Sequence, residues 1–246
     1  MVIFLHRKDG NRFEITDSTI LNCGYSYDAG TLPVYWFGEP ETSESFNFVT
    51  ALFNNGKKGL RKHLLPVIAN HNHKNSIEFL YNIVKGDFPS NLRKNSVFWI
   101  GAVKDKRSVS YLKKLAENED EFDIRKRIVF ALYIHGSNEA VKELIRTAKK
   151  SGSTSIRKNA TFWLGQLASK ESIKALKEII ISKDDLKVKT AAVFALSQLK
   201  NDKSIPLLID IAKNNRSPGV RKKAIFWLGQ KDDKRVIQLF EKILLK

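Results

Sequence analysis

A block of ten residues returns along this chain at multiples of 32. Leu92-Arg93-Lys94-Asn95-Ser96-Val97-Phe98-Trp99-Ile100-Gly101 reappears as Ile156-Arg157-Lys158-Asn159-Ala160-Thr161-Phe162-Trp163-Leu164-Gly165, and again as Val220-Arg221-Lys222-Lys223-Ala224-Ile225-Phe226-Trp227-Leu228-Gly229. Weaker copies, Arg125…Phe130-Ala131-Leu132 and Lys189…Phe194-Ala195-Leu196, fall between them. The basic residue that opens each block stands at 61, 93, 125, 157, 189 and 221 without slippage. A fixed period of this length means stacked supersecondary units, each burying its apolar face only against its neighbours.

Each unit divides into two helical patterns. In one copy Leu92, Ser96, Trp99, Ile100 and Val103 share a face at helical spacing, and Gly101 is expected to loosen the helix end. A second helix then directs Val109, Leu112 and Leu115 inward. Asp105, Ser137, Ser169 and Asn201 stand at its N-cap, with Asp232 expected there in the last unit after a one-residue deletion. The apolar set Ile77, Val109, Val141, Ile173 and Ile205, with Leu80, Leu112, Leu144, Leu176 and Leu208, repeats in step. Val34-Tyr35-Trp36-Phe37-Gly38 echoes the block once more, degenerately. Before it, Val2–His6 and Arg12–Thr16 flank an Asp-Gly turn, which predicts a β-hairpin. Residues 1–33 are thus either a cap on the first repeat or the remnant of a larger region, and 34–246 a repeat array of one degenerate and about six regular units.

The net charge of +17 is unevenly spread. Residues 1–56 hold three basic and seven acidic residues, a net −4, which leaves +21 for the rest. That asymmetry is either the solvated surface of an elongated protein or a footprint for an acidic partner, a nucleic acid included. Cys23 is the only cysteine, so an intramolecular disulfide and a cysteine zinc cluster are excluded. No stretch approaches the roughly 20 apolar residues of a membrane span. The opening Met1–Leu5 is too short for a signal-peptide core, although an upstream export signal could have been removed, and the compartment stays open.

The pattern Val-Arg-x-x-Ala-x-x-Trp/Ala-Leu-Gly, a short capped turn, then Ala/Ser-Val/Ile-x-x-Leu resembles the HEAT repeat family. It is most similar to the short, regular HEAT-like units first named after phycobilisome lyases. The resemblance covers residues 56–246 well and 34–55 loosely. It implies an all-α fold, a right-handed superhelix of antiparallel helix pairs, with first helices on the convex face and second helices on the concave one.

Three rows of side chains are candidates for function. Phe98, Phe130, Phe162, Phe194 and Phe226 stand opposite the buried arc on the helical wheel, where such repeats usually carry charge. They form either an exposed docking ridge or a packing ladder between repeats. The basic row Arg93, Arg125, Arg157 and Arg221, with Lys94, Lys126, Lys158 and Lys222 beside it, opens the first helices. In HEAT-like repeats the equivalent arginine bridges loops between repeats; the alternative is an anion-binding stripe suited to phosphates. On the second helices Lys114, Arg146 and Lys177 would steer an acidic partner. Neighbouring Trp99, Ala131, Trp163, Ala195 and Trp227 alternate large and small, which is a packing pattern.

Catalytic signals are missing from the sequence. His71-Asn72-His73 lacks a third ligand with metal spacing and is read as a solvated turn. HEAT-like hydroxylases use His-Glu pairs for iron, and no histidine here is followed by glutamate. Gly56-Lys57-Lys58-Gly59 is too short for a phosphate loop. The chain is therefore expected to be a monomeric, non-enzymatic scaffold without metal or cofactor. It would bind a macromolecular partner, an acidic protein, through its Phe row and second helices. Sequence-independent nucleic-acid binding through the basic stripe is the alternative.

Overall fold

The computed structural model describes residues 2–9, 12–20 and 40–244. The degenerate block at 34–38, the Gly10-Asn11 turn, Cys23 and the boundary expected near residue 33 lie outside them. Strands β1 (Val2–Asp9) and β2 (Arg12–Ile20) pair antiparallel, from Val2 opposite Ile20 to Asp9 opposite Arg12, with a register shift between Leu5 and His6. The Ser18 hydroxyl donates to the His63 carbonyl at 3.0 Å, which ties β2 to the helix below.

The rest is helical. In order come α1 (Thr42–Asn55), a 3-10 turn (Lys58–Leu60), α2 (Arg61–Asn70), α3 (Ser76–Lys85), α4 (Ser90–Ala102) and α5 (Ser108–Asn118). They are followed by α6 (Phe122–His135), α7 (Asn138–Lys150), α8 (Thr154–Leu167), α9 (Lys170–Ile181), α10 (Leu186–Ser197), α11 (Asn201–Asn214), α12 (Pro218–Leu228) and α13 (Lys234–Leu244). The chain forms two compact units, Met1–Arg127 and Ile128–Lys246, and the division falls inside α6. In the first unit α2 packs on α4 and α3 on α5, with α3 also against α4. In the second, α8, α10 and α12 pack in sequence as one layer, while α7 contacts α9 and α11 contacts α13 in the other. Each unit is thus a stack of antiparallel helical hairpins.

The repeat explains why these segments are helices. Ser137 and Ser169 cap α7 and α9, accepting from the backbone N–H of Ala140 and Ser172. Ser153 and Asp185 do the same for α8 and α10. Asn201 does not cap; it is already the first residue of α11. In the last unit Asp233, not Asp232, takes the part of Asp105. Each of these carboxylates accepts from the backbone N–H two residues on and from the guanidinium of that same residue, Arg107 or Arg235. The 128 residues between them are four repeats, so the period reaches Asp233 without a deletion. Val236 then stands where Ser76, Ser108, Ala140, Ser172 and Ser204 lie buried in the earlier units.

The buried face of the first helices differs from the wheel expected from sequence. Leu92, Ser96, Val97, Ile100 and Gly101 are buried, whereas Trp99 and Val103 are half-buried. Within the second unit the first helices α8, α10 and α12 pack side by side, which seals the position equivalent to Val97. Thr161 and Val193 hold that position in α8 and α10 and are fully buried, but Ile225 in α12, with no further first helix beside it among the described residues, is 37% exposed. Gly101 stands one residue before the end of α4 and Gly229 caps α12, but Gly165 does not end its helix. From Gly165 the helix α8 runs on to Leu167 and is capped by Ala168, in the left-handed region at φ 50°.

Candidate interaction surfaces

The aromatic row is partly a packing ladder. Trp163 reaches across to α6, with its ring 4.8 Å from Phe130 and stacked at 4.5 Å on Tyr133. Trp227 reaches from α12 to Phe194 of α10 at 5.0 Å. Between those steps the helices approach more closely: a Cβ on Gly165 would lie 2.8 Å from the Ala195 Cβ. The large–small alternation read from the sequence is therefore an alternation of spacing, with a Trp filling one groove and an Ala–Gly contact closing the next. Phe98, Phe130, Phe162 and Phe194 are half-buried, and only Phe226 is exposed, at 50%. Even there the Lys223 ammonium sits 4.5 Å from the ring centre.

The arginine row is engaged at the helix ends. Arg61 donates to the carbonyls of Phe53 and Asn54 at the end of α1. Arg93 donates to the Val84 carbonyl at the end of α3, Arg157 to Ser151 after α7, and Arg221 to Asn215 after α11. These carbonyls lack intrahelical partners and carry the negative end of the helix dipole. A cation in the first turn of one helix is thus satisfied by the last turn of the preceding one. Two of the guanidinium groups also reach forward to acids of the following loop. Arg93 pairs with Glu119 at 2.6 Å and Glu121 at 2.9 Å, and Arg157 with Asp184 at 3.0 Å. Arg125 is half-buried and engaged as well. The lysines alongside vary. Lys126 pairs with Asp123 at 2.9 Å, Lys94 is half-buried, and Lys158 and Lys222 are exposed.

The outward side of the second helices is the third surface. Lys113 and Lys114 on α5 are exposed, the latter with its ammonium 5.4 Å from the Tyr111 ring. On α7, Arg146 forks onto the Glu143 carboxylate at 2.5–2.9 Å, so its charge is partly matched. Lys149 of α7 pairs with Glu178 of α9 and holds that carboxyl below its ordinary range. Lys174, Lys177 and Lys213 are exposed. A small depression lies between α9 and α11, lined by Lys177, Ile180, Ile181, Leu207, Asp210 and Ile211 among others. Nothing in the sequence reading singled it out.

The histidine pair is not simply solvated. His71 accepts or donates through Nε2 to the Ser45 hydroxyl at 2.8 Å, and His73 stacks on Phe46 at 4.1 Å. Burial, with His73 adding to it, lowers the His71 pKa from its ordinary value. Among the described residues no three metal-ligating side chains come together. Nor is any described helix long and apolar enough to cross a membrane.

A family model described as HEAT repeats matches residues 77–153 and 141–225, together more than half of the chain. The chain belongs to the HEAT-repeat family. Two solved structures are similar in fold to this HEAT-repeat protein. One is the complex of CpcE and CpcF of phycocyanin lyase from Nostoc sp. PCC7120, at 16% identity over 82% of this chain and 80% of that one, with a TM-score of 0.42. The other is human deoxyhypusine hydroxylase in complex with glycerol, at 16% identity over 78% of this chain and 85% of that one, with a TM-score of 0.37. At that degree of likeness neither carries an argument about activity. No curated protein sequence matches the chain.

Proposed function

We propose that this HEAT-repeat protein is a non-catalytic scaffold that binds an acidic protein partner through the second helices, with the Phe row as a further contact. What carries the reading is the contrast between its two sets of cations. The ladder arginines are half-buried and bonded to helix ends, so their charge is matched within the fold. Lys113, Lys114, Lys142, Lys174, Lys177 and Lys213 stand exposed on consecutive second helices, where cations raise the rate of encounter with an acidic surface. Of the Phe row, Phe226 has the ring most open to a partner.

The test is a pull-down from the source cells with and without nuclease, using the wild-type chain and the triple charge reversal Lys114→Glu, Arg146→Glu and Lys177→Glu. The expected result is a protein retained by the wild type after nuclease treatment and lost from the variant. Retention that disappears with nuclease would overturn the reading in favour of nucleic acid. That second reading draws on exposed Lys62, Lys158 and Lys222 beside the first-helix N-termini. It requires binding to DNA or RNA at about 50 mM salt with a steep salt slope.

A further inference from the structure

Ile181 is 77% exposed at the end of α9. The repeat makes that anomalous: at multiples of 32 residues the same position carries Lys85, Glu117, Lys149 and Lys213. The apolar surface continues inward from it through Leu207 and Ile211 of α11, and these side chains line the depression between the two helices. Its rim is Lys177 from α9 and Asp210 from α11, and the Asp210 carboxylate accepts from the Asn214 amide at 2.8 Å. Across α7, α9 and α11 nine basic residues stand against six acidic ones. Glu143 and Glu178 among those acids are already paired with Arg146 and Lys149. The three helices together therefore carry a net positive charge.

We infer that the α9–α11 depression is the anchor site for an acidic protein segment. A bulky apolar side chain of that segment covers Ile181 and Leu207, and its flanking carboxylates meet Lys177, Lys174 and Lys213. This rests on the reading of the second helices as a protein-binding surface and names the point of engagement. An isolated exposed isoleucine means little, but one that replaces charge and opens onto a depression edged by Lys177 has the form of a pocket for a single anchor residue. A nucleic acid fits it less well. The lining holds no aromatic ring for a base to stack on. The ring-to-ring contacts of this unit lie on the first helices instead.

The experiment is selection of a displayed random 16-residue peptide library on the full chain, followed by fluorescence anisotropy of the enriched peptides. Wild type is compared with Ile181→Lys, Lys177→Glu and, as a control on a first helix, Lys158→Glu. Ile181 and Lys177 are exposed, so both variants are expected to melt with the wild type. The proposal expects peptides pairing a large apolar residue with Asp or Glu, weakened about tenfold or more by Ile181→Lys and by Lys177→Glu and unaffected by Lys158→Glu. Peptides that bind both groove variants as tightly as wild type overturn the anchor site and leave the scaffold reading standing. Failure to enrich any peptide overturns the anchor site; if oligonucleotides bind in the same assay, it removes the protein-scaffold reading too.

Discussion

Single atoms decide much of this fold, and Gly165 shows it most directly. Its missing Cβ lets α8 lie against Ala195 of α10, and a methyl group there would also come within 3.1 Å of the Ala195 Cα. Gly165→Ala gains helix propensity but overpacks that contact, so thermal unfolding should show a loss of about 1–3 kcal/mol. Buried serines give a finer contrast. The Ser108 hydroxyl donates to the Val103 carbonyl at 3.2 Å, while the Ser204 hydroxyl is buried without a partner. Ser108→Ala is expected to cost about 1 kcal/mol, and Ser204→Ala to be neutral or stabilising, by denaturant titration. Protonation of His71 is penalised by burial, so its folded pKa lies below the unfolded one. The unfolded state then binds more protons below about pH 6.5, and the stabilisation is lost as pH falls through that range. The melting temperature of the wild type should drop more between pH 7.5 and 5.5 than that of His71→Asn.

At the scale of elements, the arginine clasp joins hairpin to hairpin. Arg157 illustrates the geometry: it bonds the Ser151 carbonyl behind it and Asp184 ahead, with both side chains of the ion pair only 14% exposed. Arg157→Met removes those bonds and leaves Asp184 without its cation. It is expected to lower stability by about 2–4 kcal/mol, more than the exposed Arg235→Met, and calorimetry would rank the two. Much of this level was legible beforehand. The period, the two helices per unit and the serine caps of α7 and α9 follow from residue identity at fixed spacing, while the bridging arginines are what the HEAT resemblance implies beside the alternative of an anion stripe. The wheel failed where it assumed one contact face. It placed Trp99 in the core and left Val97 out, because nothing in a single helix says that a neighbour will lie along its flank. Gly165 departs from the pattern of Gly101 for a related reason. Gly at the end of a helical pattern signals either a terminus or a close approach, and only the neighbour, Ala195, distinguishes them. The α9–α11 depression has a single signal in the sequence, Ile181, which breaks a column that is otherwise charged.

For the whole molecule, nearest-neighbour packing governs which parts open first. The interior helices of a stack are covered on both sides, but among the described residues α12 and α13 have neighbours on one side only, with Ile225 and Ile237 left exposed. Local opening is easiest where fewest apolar contacts must break, so amide exchange in α13 should outpace that in α9 and α11 under native conditions. Equal protection throughout would mean that the second unit opens as one.

The alternation of Trp163, Ala195 and Trp227 along α8, α10 and α12 sets a rule of parity for changes in length. Excising 32 residues, 186–217, would bring Gly165 against a helix bearing Trp227 where it now meets Ala195. Excising 64, residues 154–217, would instead hand Phe130 the ring of Trp227 in place of Trp163, an identical neighbour. Such a protein grows or shrinks most readily by twos, its true module being a pair of hairpins.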